Sequence, residues 1–233
     1  MKKAVALFTA LAIAVSAFGF GAGAADTNTP SANTEVQTVS EQAAKNFYDV
    51  SSSYWGRTAI NWCVDQGLFG GTTNTMFSPE QEMTRAMFIT VIGRKAKVDK
   101  GQYNGLLTFT DVKRDDYFSP YLQWANKYGI TKSIEDGNKF KPNQPITRLE
   151  MIDVLYRYAK ACGNDMSADG TKFYNFKDYT KVPFNSYDVM MWATDKGIIN
   201  GNSAGELNPK GTSSRAEIAQ MLYNSRNAFS KTT

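Results

Sequence analysis

The chain has 233 residues, a formal net charge of +4 and no histidine, and its 26 basic residues nearly balance its 22 acidic ones. The lack of histidine removes the commonest general base and the commonest metal ligand, and the balanced charge argues against a nucleic-acid partner. The sequence shows no nucleophile beside a base and no cluster of metal-ligand residues. It therefore predicts neither an enzyme nor a bound cofactor or metal.

The first 24 residues are typical of a secretory signal peptide. A basic start at Met1–Lys3 precedes an apolar run to Phe20, and small residues follow up to Ala24. A membrane anchor is the alternative, but the run is rich in alanine and barely reaches the roughly 20 residues that a spanning helix needs. We therefore expect export with removal of residues 1–24, and no membrane contact after cleavage. The polar residues 25–46 predict a flexible lead-in.

The rest of the chain contains three copies of one unit, which we assign to residues 47–100, 101–165 and 166–233. In each copy a phenylalanine is followed two positions later by an aspartate, and a tryptophan by a glycine five positions later. A proline is followed by an arginine six positions later in each copy. A further aromatic residue recurs eight positions after the first phenylalanine, at Trp55, Tyr117 and Phe184. Chance does not produce the same spacings three times.

Each copy predicts a helix, a loop and a second helix. The first helix ends at a glycine suited to a left-handed C-terminal stop, at Gly67, Gly129 and Gly197. The loop ends in a Phe/Leu-x-Pro segment, which we expect to be extended because the residue before proline avoids helical angles. The second helix starts at an N-cap hydroxyl. In copies two and three, Glu150 and Glu217 lie three positions later and complete a capping box, whereas copy one has Met87 at that position.

These elements predict an all-α (mainly helical) fold. A single helix pair of about 50 residues cannot bury its own apolar face, so the repeats must pack on one another. Three copies suggest a closed, pseudo-threefold arrangement. Cys63 stands where the other copies have alanine, which predicts a structural role, and pairing of Cys63 with Cys162 remains open.

An arginine in the first turn of each second helix is the most informative feature for function. A cation there opposes the helix dipole, yet all three copies carry one. Free N–H groups and a guanidinium together would form a site for a carboxylate or phosphate. The structural alternative is that each arginine pairs with an internal acid. The arginines are Arg85, Arg148 and Arg215, and the candidate internal acids are Asp49, Asp111 and Asp178.

Two further sets of residues allow a structural and a functional interpretation. The three repeat tryptophans are either core residues or platforms for a sugar ring: Trp62, Trp124 and Trp192. The second loop glycine allows either a turn or close approach of a ligand to the backbone, and it is present as Gly71 and Gly201 but replaced by Ser133 in copy two.

The order of these motifs over about 50 residues resembles the S-layer homology domain, over about residues 47–227. The resemblance implies a three-pronged spindle with grooves between repeats, which binds a secondary cell-wall polysaccharide, often one carrying pyruvate ketals. It also implies that the three arginines bind carboxylate, and that the three aspartates, the three tryptophans and the two loop glycines named above belong to the carbohydrate-binding site.

The resemblance makes a non-catalytic wall anchor, secreted to the cell wall of a bacterium, the leading hypothesis. An S-layer accessory or assembly protein, acting mainly on other surface-layer proteins, is the alternative. An autolysin-like wall enzyme is a third and weaker hypothesis, because the repeats occupy nearly all of the predicted mature chain.

Overall fold

The computed structural model describes residues 47–105 and 109–229, so the predicted signal peptide and lead-in lie outside the described residues. In this part of the chain there are six α-helices and no β-strand of more than a single bridge. The helices are α1 (Arg57–Asp65), α2 (Arg85–Lys95), α3 (Ser119–Lys127), α4 (Arg148–Ala161), α5 (Tyr187–Asp195) and α6 (Arg215–Asn224). The all-α prediction of two helices per repeat is therefore confirmed.

The helix ends follow the sequence signals. Gly67, Gly129 and Gly197 have φ of 66°, 69° and 67°, so each provides the predicted left-handed stop. The Thr147 and Ser214 side chains each accept from the backbone N–H three residues later, and the glutamate there bonds back, completing both predicted capping boxes. In the first repeat the Thr84 hydroxyl caps the helix by accepting from the Met87 N–H. The Met87 side chain cannot accept a hydrogen bond from the Thr84 N–H as a glutamate would, so the capping box is incomplete.

The second helix of each repeat packs against the first helix of the next repeat, and the order closes on itself. Thus α2 packs on α3, α4 packs on α5, and α6 packs on α1. This cyclic exchange produces three helix pairs around one continuous apolar core, as the pseudo-threefold prediction required. Cys63 is fully buried in this core, and it is not joined to Cys162 in a disulfide.

The repeats also join through the backbone at the start of each second helix. The first two N–H groups of α2 donate to Gln144 and Pro142 of the second repeat, at 3.0 Å each. The same two groups of α4 donate to the third repeat, and those of α6 donate to the first. Isolated bridges between the preceding segments complete a ring, so each helix N-terminus is closed by the loop of its neighbour.

The prediction of an extended residue before each loop proline is wrong. Ser78, Lys141 and Asn208 adopt φ of 58°, 56° and 50°, in the left-handed region. A side chain in this conformation costs about 1–2 kcal/mol, so another interaction must stabilise it. That interaction comes from an aspartate about thirty positions earlier, whose carboxylate accepts the N–H of the left-handed residue.

None of the helices in residues 47–105 and 109–229 has the length and apolar character needed to cross a membrane.

Candidate functional site

The three repeat arginines act first as connections between repeats. Arg85 donates to the Phe140 carbonyl at 3.0 Å and to Glu150 at 2.6 Å. Arg148 donates to the Leu207 carbonyl at 2.9 Å and lies 3.8 Å from Glu217. In each case the arginine reaches the loop of the following repeat and the capping-box glutamate of that repeat. Since a guanidinium satisfies carbonyl and carboxylate together, this contact orients one repeat on the next.

Arg215 makes the corresponding contact with the first repeat, without a carboxylate. Its guanidinium donates to the Phe77 carbonyl at 2.8 Å and the Gly70 carbonyl at 2.7 Å. It also lies over the Phe77 ring, 4.5 Å from the centroid. Met87 occupies the position at which the other repeats carry the pairing glutamate. Burial is the main cause that lowers the pKa of Arg215 to about 10.

The expectation of free N–H groups beside these arginines is wrong. The first two N–H groups of α2, α4 and α6 donate to the neighbouring loop, and the third donates to the capping hydroxyl. The helix N-termini therefore offer no open N–H set to an anion, and any charge recognition must come from side chains.

The three aspartates hold the loops of their own repeats. Each carboxylate accepts two consecutive backbone N–H groups, one of them from the left-handed residue before proline. Asp178, for example, accepts from Leu207 at 2.7 Å and Asn208 at 2.9 Å, and it is 2% exposed. Asp49 and Asp111 bind their loops in the same way. Neither the predicted sugar contact nor the predicted pairing with arginine matches this geometry, because both oxygens face the backbone.

Two of the three tryptophans are core residues. Trp124 and Trp192 are 3% and 0% exposed, so neither ring face is open to a sugar. Trp62 is half-buried and packs edge-on against Tyr223, with ring centroids 5.7 Å apart. The packing interpretation therefore accounts for Trp124 and Trp192, because their helices must bury a large apolar side chain between repeats.

The loop glycines are required by close packing. A Cβ on Gly71 would lie 2.2 Å from the Thr73 carbonyl oxygen, and one on Gly201 would lie 2.5 Å from the Phe176 ring. Gly201 also has φ of 72°, which favours glycine. The turn interpretation thus explains both residues, and Gly201 in addition lines a cleft.

A cleft of about 320 Å³ opens beside Arg148, in the groove between the second and third repeats. Residues of all three repeats contribute to it: Arg148 from the second, Trp55 from the first, and the remainder from the third. Its lining is rich in side-chain amides, namely Asn200, Asn202, Asn208, Gln220 and Asn224. The Gln220 amide donates to Asn224, and the Asn224 amide donates to the Ile198 carbonyl, so this wall is held in place.

The exposed aromatic residues were not predicted as binding-site candidates from the sequence. Trp55 is 57% exposed on the cleft, and its repeat equivalents Tyr117 and Phe184 are 60% and 86% exposed. Their recurrence eight positions after the first phenylalanine was visible in the sequence. These positions precede the first helix of each repeat, where core packing does not require an aromatic ring. That placement could have identified them as candidates for a binding site.

Comparison with known proteins identifies the family. The profile of the S-layer homology domain matches residues 46–87, 108–152 and 175–219, and the chain belongs to this family. Domains of this family anchor surface proteins to the cell wall. Membership places the chain among bacterial cell-surface proteins.

Curated relatives match over most of this chain. The S-layer protein of Bacillus thuringiensis subsp. finitimus is 30% identical over 196 residues, covering 80% of this chain and 22% of that protein. Exoglucanase XynX of Acetivibrio thermocellus is 30% identical over 177 residues, covering 76% of this chain and 16% of that enzyme. A cellulosome-anchoring protein of Acetivibrio thermocellus is 31% identical over 122 residues, covering 48% of this chain and 25% of that protein. The matched segments thus span a quarter or less of these relatives.

Proposed function

We propose that this chain is a non-catalytic anchoring module that binds an acidic secondary cell-wall polysaccharide in the grooves between its repeats. The observation that carries the proposal is the cleft beside Arg148, which combines a guanidinium, a set of amides and an exposed indole. Sugars present hydroxyl groups at their edges and C–H groups on their faces. Amides bind the former, and an aromatic ring such as Trp55 covers the latter.

The preference for an acidic glycan rests on Arg148. The Arg148 side chain is 15% exposed, and its guanidinium lies 3.8 Å from Glu217, a distance too long for a direct hydrogen bond. A carboxylate on the sugar, as a pyruvate ketal would supply, could pair with Arg148 in bidentate geometry. This feature favours a carboxylated glycan over a neutral one.

Binding without cleavage is favoured by the roles of the acids in the cleft. Glycoside hydrolysis needs two carboxyl groups available to the scissile bond. Glu217 caps α6 through the Ser214 backbone N–H at 2.9 Å, and Glu206 lies 3.7 Å from Lys181. Both acids therefore have structural contacts, and the cleft is better suited to holding a glycan than to protonating one.

An S-layer accessory protein that binds mainly other surface-layer proteins is the second candidate. It is favoured by the exposed aromatic side chains outside the cleft, since Phe184 is 86% exposed and Tyr174 is 50% exposed. Tyr187 lies between these two rings, at centroid distances of 5.4 and 6.4 Å. Exposed clusters of this kind occur at protein–protein interfaces.

Co-sedimentation with cell-wall sacculi tests the proposal. The purified protein is mixed with sacculi that are untreated or stripped of their secondary polysaccharide, alongside Trp55→Ala and the matched variant Phe184→Ala. We expect binding only to untreated sacculi, weakened at least about tenfold by Trp55→Ala, as for loss of an aromatic anchor, and little changed by Phe184→Ala. Equal binding to stripped sacculi would reject the polysaccharide proposal. Self-association that Phe184→Ala abolishes would favour the accessory protein.

A further inference from the structure

The three grooves between repeats are built from equivalent positions. We define the first groove by the loop of repeat one with Arg215, the second by the loop of repeat two with Arg85, and the third by the loop of repeat three with Arg148. The third groove contains the cleft beside Arg148. In each groove the arginine donates to the carbonyl of the residue two positions before the loop proline, at Phe77, Phe140 or Leu207.

The second groove has its charges neutralised within the fold. Arg85 pairs with Glu150 at 2.6 Å, and Arg157, about two and a half turns along α4, pairs with Asp153 at 2.5 Å. Each guanidinium therefore already has a carboxylate. An incoming anion would have to compete with both internal ion pairs, which lowers the gain from binding there.

The first groove has the same two cationic positions and lacks both acids. Arg94 stands where the second groove has Arg157, Met87 replaces Glu150, and Thr90 replaces Asp153. The Thr90 hydroxyl donates back to the Ala86 carbonyl at 2.9 Å, so it is occupied within α2. In the third groove Asn224 stands at the position of Arg94, and that groove therefore has one arginine.

Both arginines of the first groove bind the same loop. Arg94 donates to the Leu68 carbonyl at 3.1 Å, and Arg215 donates to the Gly70 carbonyl at 2.7 Å. Within residues 47–105 and 109–229 neither guanidinium forms an ion pair with a carboxylate. Their proximity is also reflected in the pKa of Arg215, which the charge of Arg94 helps to lower. Two like charges held close together on one loop favour an anionic partner.

Two acids of the first repeat, Asp49 and Glu82, are already engaged within the fold. Asp49 acts on Arg215 through its charge, but its two oxygens accept the backbone N–H groups of Phe77 and Ser78. Glu82 accepts a hydrogen bond from the Thr212 hydroxyl of the third repeat. An aspartate equivalent to Asp49 occurs in every repeat, so it does not remove the difference between the grooves.

We propose that the first groove, where Arg94 and Arg215 bind one loop and neither pairs with a carboxylate of the described residues, is a second site for an anionic group of the wall glycan, in addition to the cleft at Arg148. Arg94 is exposed and makes the contact, while the buried Arg215 adds charge behind it. The anionic group is a carboxylate or a phosphate, since a planar guanidinium binds either. This inference rests on the proposed function, because it adds the first groove to the cleft in which the glycan is proposed to bind.

The departure at Met87 has a physical explanation on this basis. A glutamate there would complete the capping box of α2 and pair with Arg215, as Glu150 pairs with Arg85 at 2.6 Å. The chain thus forgoes a stabilising interaction in the first groove, and both cations there keep their charge available to a ligand. Local rules of stability are commonly broken where a site needs its charge.

Three variants test the inference by co-sedimentation with untreated sacculi, with circular dichroism melts as the folding control. Arg94→Gln should weaken binding at least about tenfold, the loss of one charge-assisted hydrogen bond. The matched variant Arg157→Gln should leave binding within about twofold. Met87→Glu should weaken binding at least about fivefold while raising the melting temperature, a combination that mere unfolding cannot produce.

Sacculi whose carboxyl groups have been reduced to alcohols identify the anion. Loss of the Arg94-dependent part of binding assigns a carboxylate, whereas its persistence assigns a phosphate. Wild-type levels of binding by both Arg94→Gln and Met87→Glu would overturn the inference and leave the proposed function standing. Failure of the wild-type protein to prefer untreated over stripped sacculi would instead reject the proposed function itself.

Discussion

Replacement of Asp178 by asparagine should destabilise the fold and leave glycan binding intact. The carboxylate is 2% exposed and accepts from the Leu207 and Asn208 N–H groups at 2.7 and 2.9 Å. Those bonds hold Asn208 at φ of 50°, the geometry that turns the loop toward Arg148 of the second repeat. The asparagine side chain keeps one acceptor oxygen and places an NH₂ group against the other N–H.

The expected cost can be estimated from these contacts. A hydrogen bond to a charged group contributes about 1.5–3 kcal/mol, and a buried donor left unsatisfied costs about 1–3 kcal/mol. Because the site is closed to water, we expect a total near 3 kcal/mol. For a folded region of this size, that corresponds to a fall in melting temperature of about 6–12 °C.

Thermal melts followed by circular dichroism, combined with sacculus binding at 20 °C, test this prediction. Asp115→Asn is the matched control, because Asp115 is exposed, and its melting temperature should change by no more than about 2 °C. An unchanged melt for Asp178→Asn together with lost binding would refute the reasoning. That result would return Asp178 to the glycan contact predicted from the sequence motif.

Three further changes test the contacts between repeats. Arg85→Ala leaves Glu150 without its partner and should cost about 3 kcal/mol in urea unfolding; a loss below about 1 kcal/mol would show that the pair does not join the repeats. Gly93→Ala places a Cβ 2.2 Å from the Tyr121 ring and should cost about 2 kcal/mol, whereas wild-type stability would refute the close contact of α2 with α3. Burial raises the pKa of Cys63 to about 12. The folded state therefore keeps a thiol proton that the unfolded state loses above about pH 9, so the free energy of unfolding should fall as the pH rises from there. Cys63→Ala should remove that part of the alkaline loss, as measured by urea titrations at pH 7 and pH 10, and an identical pH dependence in the variant would contradict it.

The helices and their ends could be predicted from the sequence because they depend on neighbouring residues. The N-cap hydroxyls, the capping-box glutamates and Gly67 act within a few positions of the helix that they end. The repeat spacing also predicted that the units pack on one another, because three units that cannot bury their own apolar faces must share one core. The cyclic order in which α6 packs on α1 then follows from closure of the three units.

The partners of the charged residues could not be predicted, because they lie in another repeat or far along the chain. Arg85 meets Glu150 across 65 positions, and Asp178 meets Asn208 across 30. Local reasoning assigned the helix N-termini to an anion, although a neighbouring loop already covers them. The left-handed residue before each proline was missed for the same reason, since its stabilising carboxylate is distant in sequence.

The groove itself could be predicted only in part. Arg148 and Gly201 were candidates, and both line the cleft. Trp55 was noted as a repeat position and not as a site, because exposure of an aromatic side chain cannot be predicted from spacing alone. From the sequence, Trp192 was equally suited to a core position and to a sugar platform. Only its full burial in the structure distinguishes these two roles.

The most direct test of groove binding is a titration of the ¹⁵N-labelled protein with polysaccharide released from the sacculi, observed through the indole N–H signals of the four tryptophans. Trp55 is 57% exposed on the cleft and Trp192 is 0% exposed in the core. Groove binding predicts that the Trp55 signal shifts in a saturable way while the Trp192 signal stays in place. Saturable binding that leaves the Trp55 signal unmoved would contradict it, because the glycan would then lie outside the cleft.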